Sequence, residues 1–207
     1  MKQKVGGEIL VPKKQFIFNI IVNNVIRASF GRGAKIYKEK VTIKKKTEIK
    51  EFIYCYLDRL FNEIRDLENG NNLEKKIKKK IKNLRTRLIK NYQHSFNDDK
   101  LNIGRTQKII NLFLKYLWCL GYIKIKPPFI PIDSQVINAI NKKVKDYNEE
   151  NNRIKLKIIN YKWTEIKNLK QFAAILFTGT KVINNNLVDW EIKYFNDYYI
   201  RQFEDAL

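Results

Sequence analysis

Between Leu73 and Leu88 the sequence places eight cations, Lys75, Lys76, Lys78, Lys79, Lys80, Lys82, Arg85 and Arg87, against one carboxylate, Glu74. So dense a run of one sign repels itself unless an anion meets it. The chemistry open to these groups is phosphate binding, with ammonium groups acting as point charges and guanidinium groups as two-toothed donors. Leu73, Ile77, Ile81, Leu84 and Leu88 recur at three- and four-residue steps within the same stretch, which predicts a helix with one buried face and one cationic face. Lys75, Lys78, Lys79, Lys82, Arg85 and Arg87 are accordingly the expected nucleic-acid contacts. The whole chain has the same sign: 207 residues with Lys+Arg 42 against Asp+Glu 21, a net charge of +21. Codon drift in an AT-rich genome also raises Lys, Asn and Ile, so the charge total says less than its concentration on one helix.

Other chemistries find few residues to work with. Cys55, Cys119 and the lone His94 form neither a disulfide framework nor a zinc-binding pattern. There is no glycine-rich phosphate loop, no G-x-S-x-G turn and no H-E-x-x-H, which removes NTPases, α/β-hydrolases and zincins. No metal and no cofactor is expected. Asp189-Trp190-Glu191-Ile192-Lys193 carries the acid and base spacing of a metal-dependent nuclease, but on a segment that reads as helix, where such enzymes use strands. No run approaches the roughly 18 apolar residues of a membrane span. The N-terminal residues show no apolar targeting core, so a cytoplasmic protein without a membrane partner is expected.

The elements that must carry the cations are helices. With 8 Gly and 4 Pro in the chain, helical periodicity dominates, and the expected fold is mainly α. It is a single multi-helix domain over residues 14–207 behind an N-terminal extension, residues 1–13. The first helix is predicted from Lys14 to Phe30, ending at Gly31-Arg32-Gly33, and a second opens at Thr47-Glu48 and runs toward Gly70. The basic helix covers about 72–93. Residues 101–121 form a hairpin-like element and the most apolar helix, Arg105 to Leu120, whose Ile109, Ile110, Phe113, Leu114, Leu117 and Trp118 mark it as the centre of the core. Pro127, Pro128 and Pro131 make 122–133 an extended connection, and Asp133 or Ser134 caps a helix from Gln135 to Tyr147. Arg153 to Ile158 alternates with period two and is a candidate strand, pairing with Ile123-Lys124-Ile125. Thr164 is the expected cap of a helix through Phe177, and a last helix spans Leu187 to Phe203.

Gly104-Arg105-Thr106-Gln107-Lys108-Ile109-Ile110-Asn111-Leu112, followed by Pro131-Ile132-Asp133-Ser134-Gln135-Val136, resembles the helix-hairpin-helix DNA glycosylases over residues 101–140. The resemblance implies a hairpin gripping the DNA backbone through Gly104 and Arg105, and extrusion of a damaged or modified base into a pocket between helices. It makes DNA the expected partner ahead of RNA. Asp133 would match the aspartate that activates the nucleophile and stabilises charge developing on the sugar. Lys108 would match the lysine that forms a Schiff base in the members that also nick the strand. Lys115 is the alternative for that lysine, being nearer the usual distance from Asp133. The sequence departs from the family in having one glycine in Leu101-Asn102-Ile103-Gly104, Gln135 where a histidine is usual, and no four-cysteine cluster. The competing expectation is a helical nucleic-acid-binding or regulatory protein without chemistry, in which Asp133 is only a helix cap and Lys108 a solvated or phosphate-contacting lysine.

Overall fold

In the computed structural model, which describes residues 12–30, 36–98, 100–151, 154–183 and 186–204, helices form where apolar residues recur at helical spacing. They are α1 (Pro12–Phe30), α2 (Ile43–Ile64), α3 (Leu73–Tyr92), α4 (Ile103–Cys119), α5 (Ser134–Glu150), α6 (Leu169–Val182) and α7 (Leu187–Glu204). The mainly α, single-domain expectation holds. Most of the expected extension, residues 1–11, and the Gly31-Arg32-Gly33 turn lie outside the described residues. None of the described helices is long and apolar enough to cross a membrane.

Two helices start away from their expected caps. α2 opens at Thr42, whose side chain accepts from the Lys45 amide at 3.2 Å, while Thr47 sits inside the helix and bonds back to the Ile43 carbonyl. The intervening lysines are good helix formers and extend the helix backward. α6 opens at Asn168, which accepts from the Gln171 amide at 3.0 Å. Thr164 belongs instead to a short 3-10 turn, Trp163–Glu165, where the Glu165 carboxylate folds back onto the Lys162 amide at 3.1 Å.

The expected two-stranded element is absent among the described residues, where one isolated antiparallel bridge, Tyr37 to Phe96, is the pairing found. Asparagines of α5 replace the missing strand. The Asn148 side chain donates to the Leu156 carbonyl and accepts from its amide, at 2.9 and 2.8 Å, and Asn141 does the same for Ile159 at 2.9 Å each way. The spacing fits, because seven helical residues rise about 10 Å and three extended residues cover the same length. Arg153 lies outside the described residues; over 154–158 the alternation does not make a strand, and the partner of this stretch is α5 instead of Ile123-Lys124-Ile125.

α4 occupies the centre. It packs against α1, α3, α6 and the 163–165 turn, and Ile109, Ile110, Phe113, Leu114 and Leu117 are buried on it. Each such side chain contributes about 1.5–3 kcal/mol on removal from water. Gly121 closes the helix with φ of +72°, a left-handed value that costs glycine little.

Candidate functional site

α3 buries Leu73, Ile77, Ile81, Leu84 and Leu88, so the remaining positions turn outward. Lys75, Lys79, Lys82 and Arg87 are exposed. The other two expected contacts are partly engaged within the fold: Lys78 pairs with Glu74 and lies over the Phe129 ring, and Arg85 donates from Nε to the Leu101 carbonyl at 3.2 Å. The periodicity located this face because burial and charge alternate locally. It missed Arg59, which α2 presents beside Asn83 and Arg87.

A second constellation lies along one side of α4, where Lys108 and Lys115 stand seven residues, about two turns, apart. Lys108 Nζ is 3.2 Å from Asp133 Oδ2 and 4.6 Å from the centre of the Trp163 ring. Asp133 serves two partners, because its Oδ1 accepts from the Val136 amide at 3.1 Å as the N-cap of α5. Both side chains are mostly covered, 12% and 19% exposed.

What fixes Asp133 is a pair of buried amides that sequence reasoning passed over. Gln107 donates to the Ile132 carbonyl at 2.7 Å and accepts from the Ile132 amide at 3.1 Å. Asn111, one turn on, donates to the Ile130 carbonyl at 3.2 Å and to Gln107 Oε1 at 3.1 Å. Polar residues inside an otherwise apolar helix were the available signal. A buried amide requires partners, and the proline-flanked connection supplies backbone that no helix or sheet satisfies.

Lys115 pairs with Glu191 of α7 at 2.7 Å and lies 4.9 Å from the Phe195 ring. Glu191 is fully buried, and its Oε2 has no hydrogen-bond partner among the described residues. Burial pushes its carboxyl above the ordinary value, Lys115 opposes that shift, and the nearby charge of Asp133 adds to it. The acids of Asp189-Trp190-Glu191-Ile192-Lys193, expected to share a metal, are not brought together. Asp189 turns to the surface to meet Lys126 at 2.7 Å while Glu191 turns inward. Among the described residues no three metal-ligating side chains converge.

Two expected backbone-gripping residues are also corrected. Gly104 lies inside the first turn of α4 and is buried; its amide donates to the Ile166 carbonyl at 2.9 Å, and an added Cβ would lie 1.8 Å from the Trp163 carbonyl oxygen. It admits the 163–166 segment, not a phosphate. Arg105 is 1% exposed. Its Nε donates to the Lys100 carbonyl at 2.8 Å, its Nη1 to the Ser29 carbonyl at 2.5 Å, and its guanidinium lies 5.5 Å from the Trp163 ring. Burial holds its pKa below the usual arginine value. The residue that looked like a phosphate ligand ties the end of α1 to the start of α4.

Compared with known proteins, the chain matches no family model, no curated protein and no solved structure.

Proposed function

We infer that the protein binds nucleic acid, with DNA the first partner to test, through the outward face of α3. The observation that carries this reading is the projection of Lys75, Lys79, Lys82 and Arg87 from one helix face into solvent. Phosphates arriving there release condensed counterions, so affinity must depend on salt. Between 50 and 200 mM salt, binding to a duplex is expected to fall roughly a hundred- to a thousandfold, as for about four to six neutralised phosphates. Fluorescence anisotropy across that range checks it, and a flat response overturns the reading.

A second reading, base excision, is favoured by the meeting of Lys108 and Asp133 at the start of α5, the two residues that the glycosylase resemblance pairs. An ammonium held by a carboxylate has no lone pair for attack, so Lys108 would first pass a proton to Asp133 or to a leaving base. A substrate would also have to displace the Trp163 ring that lies against Lys108. Borohydride trapping on duplexes containing an abasic site, uracil, oxidised guanine or modified cytosine tests this. Excision with lyase chemistry predicts a covalent adduct that vanishes with Lys108→Ala. No adduct and no alkali-labile base loss in any duplex leaves the pair as a clamp between α4 and α5, and the protein as a binder without chemistry.

A further inference from the structure

α2 and α3 run antiparallel. Glu63 meets Lys76 and Lys80 across the helix pair, the Tyr56 hydroxyl donates to the Lys80 carbonyl at 2.8 Å, and Phe52 contacts Tyr92 near the other end. A groove runs between the two helices with Tyr56 at its floor. On the α3 side, Lys76, Lys80, Asn83 and Arg87 repeat at steps of four and three, one stripe extending about 16 Å. On the α2 side stand Arg59 and Glu63.

The charges divide into two sets. Arg59, Lys79 and Arg87 are exposed and make no ion pair among the described residues. Lys76 and Lys80 share one carboxylate, Glu63, at 3.7 and 2.5 Å. Glu63 is 41% exposed, so it can leave both lysines and return to water without stranding a buried charge.

We propose that this groove seats the phosphates of a nucleic-acid strand, with Arg59, Lys79 and Arg87 as contacts that α2 and α3 contribute jointly. Glu63 is an internal competitor that a phosphate displaces from Lys76 and Lys80. The inference rests on the nucleic-acid reading above and adds to it a second helix, a direction for the strand along the groove, and a residue whose removal strengthens binding. Coulomb attraction alone does not single out Glu63 from other acids. The competition does, because among the described residues Glu63 alone pairs with two groove lysines.

The experiment uses the full chain and a fluorescent oligonucleotide, single-stranded and duplex, titrated at several salt concentrations. Arg59→Gln and Arg87→Gln are each expected to weaken binding about threefold or more and to reduce the salt slope by about one. Glu63→Gln is expected to tighten binding about threefold or more and to steepen the slope, as Lys80 is released and the carboxylate beside Lys76, which also donates to the Glu63 main-chain carbonyl at 3.3 Å, is neutralised. Glu149→Gln, the same charge change on the exposed part of α5, is the control and should leave binding within about 1.5-fold. Wild-type binding that persists unchanged in Arg59→Gln and Arg87→Gln, or a Glu63→Gln effect no larger than that of Glu149→Gln, overturns the groove while leaving the broader reading in place. No binding by the wild type overturns both.

Discussion

Gly104→Ala is expected to destabilise the protein by about 3 kcal/mol or more, a fall of roughly 6–12 °C in Tm for a domain of this size. The new methyl would lie 1.8 Å from the Trp163 carbonyl oxygen, a backbone atom that cannot rotate away. To make room, the 163–166 segment must retreat, breaking the 2.9 Å bond from the Gly104 amide to the Ile166 carbonyl and the bond from the Asn102 side chain to the Thr164 carbonyl. The Trp163 ring would retreat with them from Arg105 and Lys108. Gly179→Ala is the matched control, because the nearest atoms its Cβ meets belong to the side chains of Ile140 and Leu187, at 3.2 Å each, and not to backbone. It is expected to change Tm little. Melting both variants checks the contrast, and a Gly104→Ala protein that melts with the wild type would show that the segment is not held against α4.

The second large effect belongs to Lys115→Met. Removing the ammonium leaves Glu191 buried without its counter-charge, a change that costs about 3–5 kcal/mol in comparable buried pairs. The loss should depend on pH in a definite direction. Glu191 already has a folded-state pKa above its ordinary 4.5, and without Lys115 the shift grows. A glutamate raised in this way contributes stability that is fully present below its unfolded value and is lost as pH rises through its folded value. The deficit of Lys115→Met relative to wild type should therefore shrink on acidification from about pH 7.5 toward pH 5. Adding Glu191→Gln should restore most of it at neutral pH. Urea unfolding of the single and double variants at both pH values measures this, and a deficit indifferent to pH and to Glu191→Gln would refute the buried-charge account.

What the sequence made legible was whatever repeats over a few residues. The stripe from Leu73 to Leu88 announced α3 and its outward cations, and the apolar run after Arg105 announced the central helix, because burial and helical period leave a local trace. Asp133 could be read as a cap from the proline ahead of it and the apolar run behind it, and it is one. What stayed hidden depended on distant partners. Nothing near Glu191 in sequence says that Lys115, 76 positions earlier, will meet it in the interior. Arg105 next to a glycine looked like a phosphate ligand, and only the fold shows that its side chain ends on the Ser29 carbonyl, 76 positions away. In the α2–α3 groove, Arg59 is not legible as a contact from sequence because it follows Asp58 on a helix with no local excess of cations there. Its meaning comes from α3 lying alongside.

The asparagine clamps of α5 have a consequence for how the chain meets other chains. An exposed extended segment is ordinarily a template on which a neighbouring molecule can add a strand, a route to aggregation. Here the amide and carbonyl of Leu156 and of Ile159 are already taken by Asn148 and Asn141, so an incoming backbone finds its ladder interrupted. Lys155 and Lys157 stand exposed on either side of Leu156 and place charge where a second strand would lie. A helix has thus done at Leu156 and Ile159 what a neighbouring strand does along one edge, and the protein presents those two positions to its surroundings with their backbone groups already engaged.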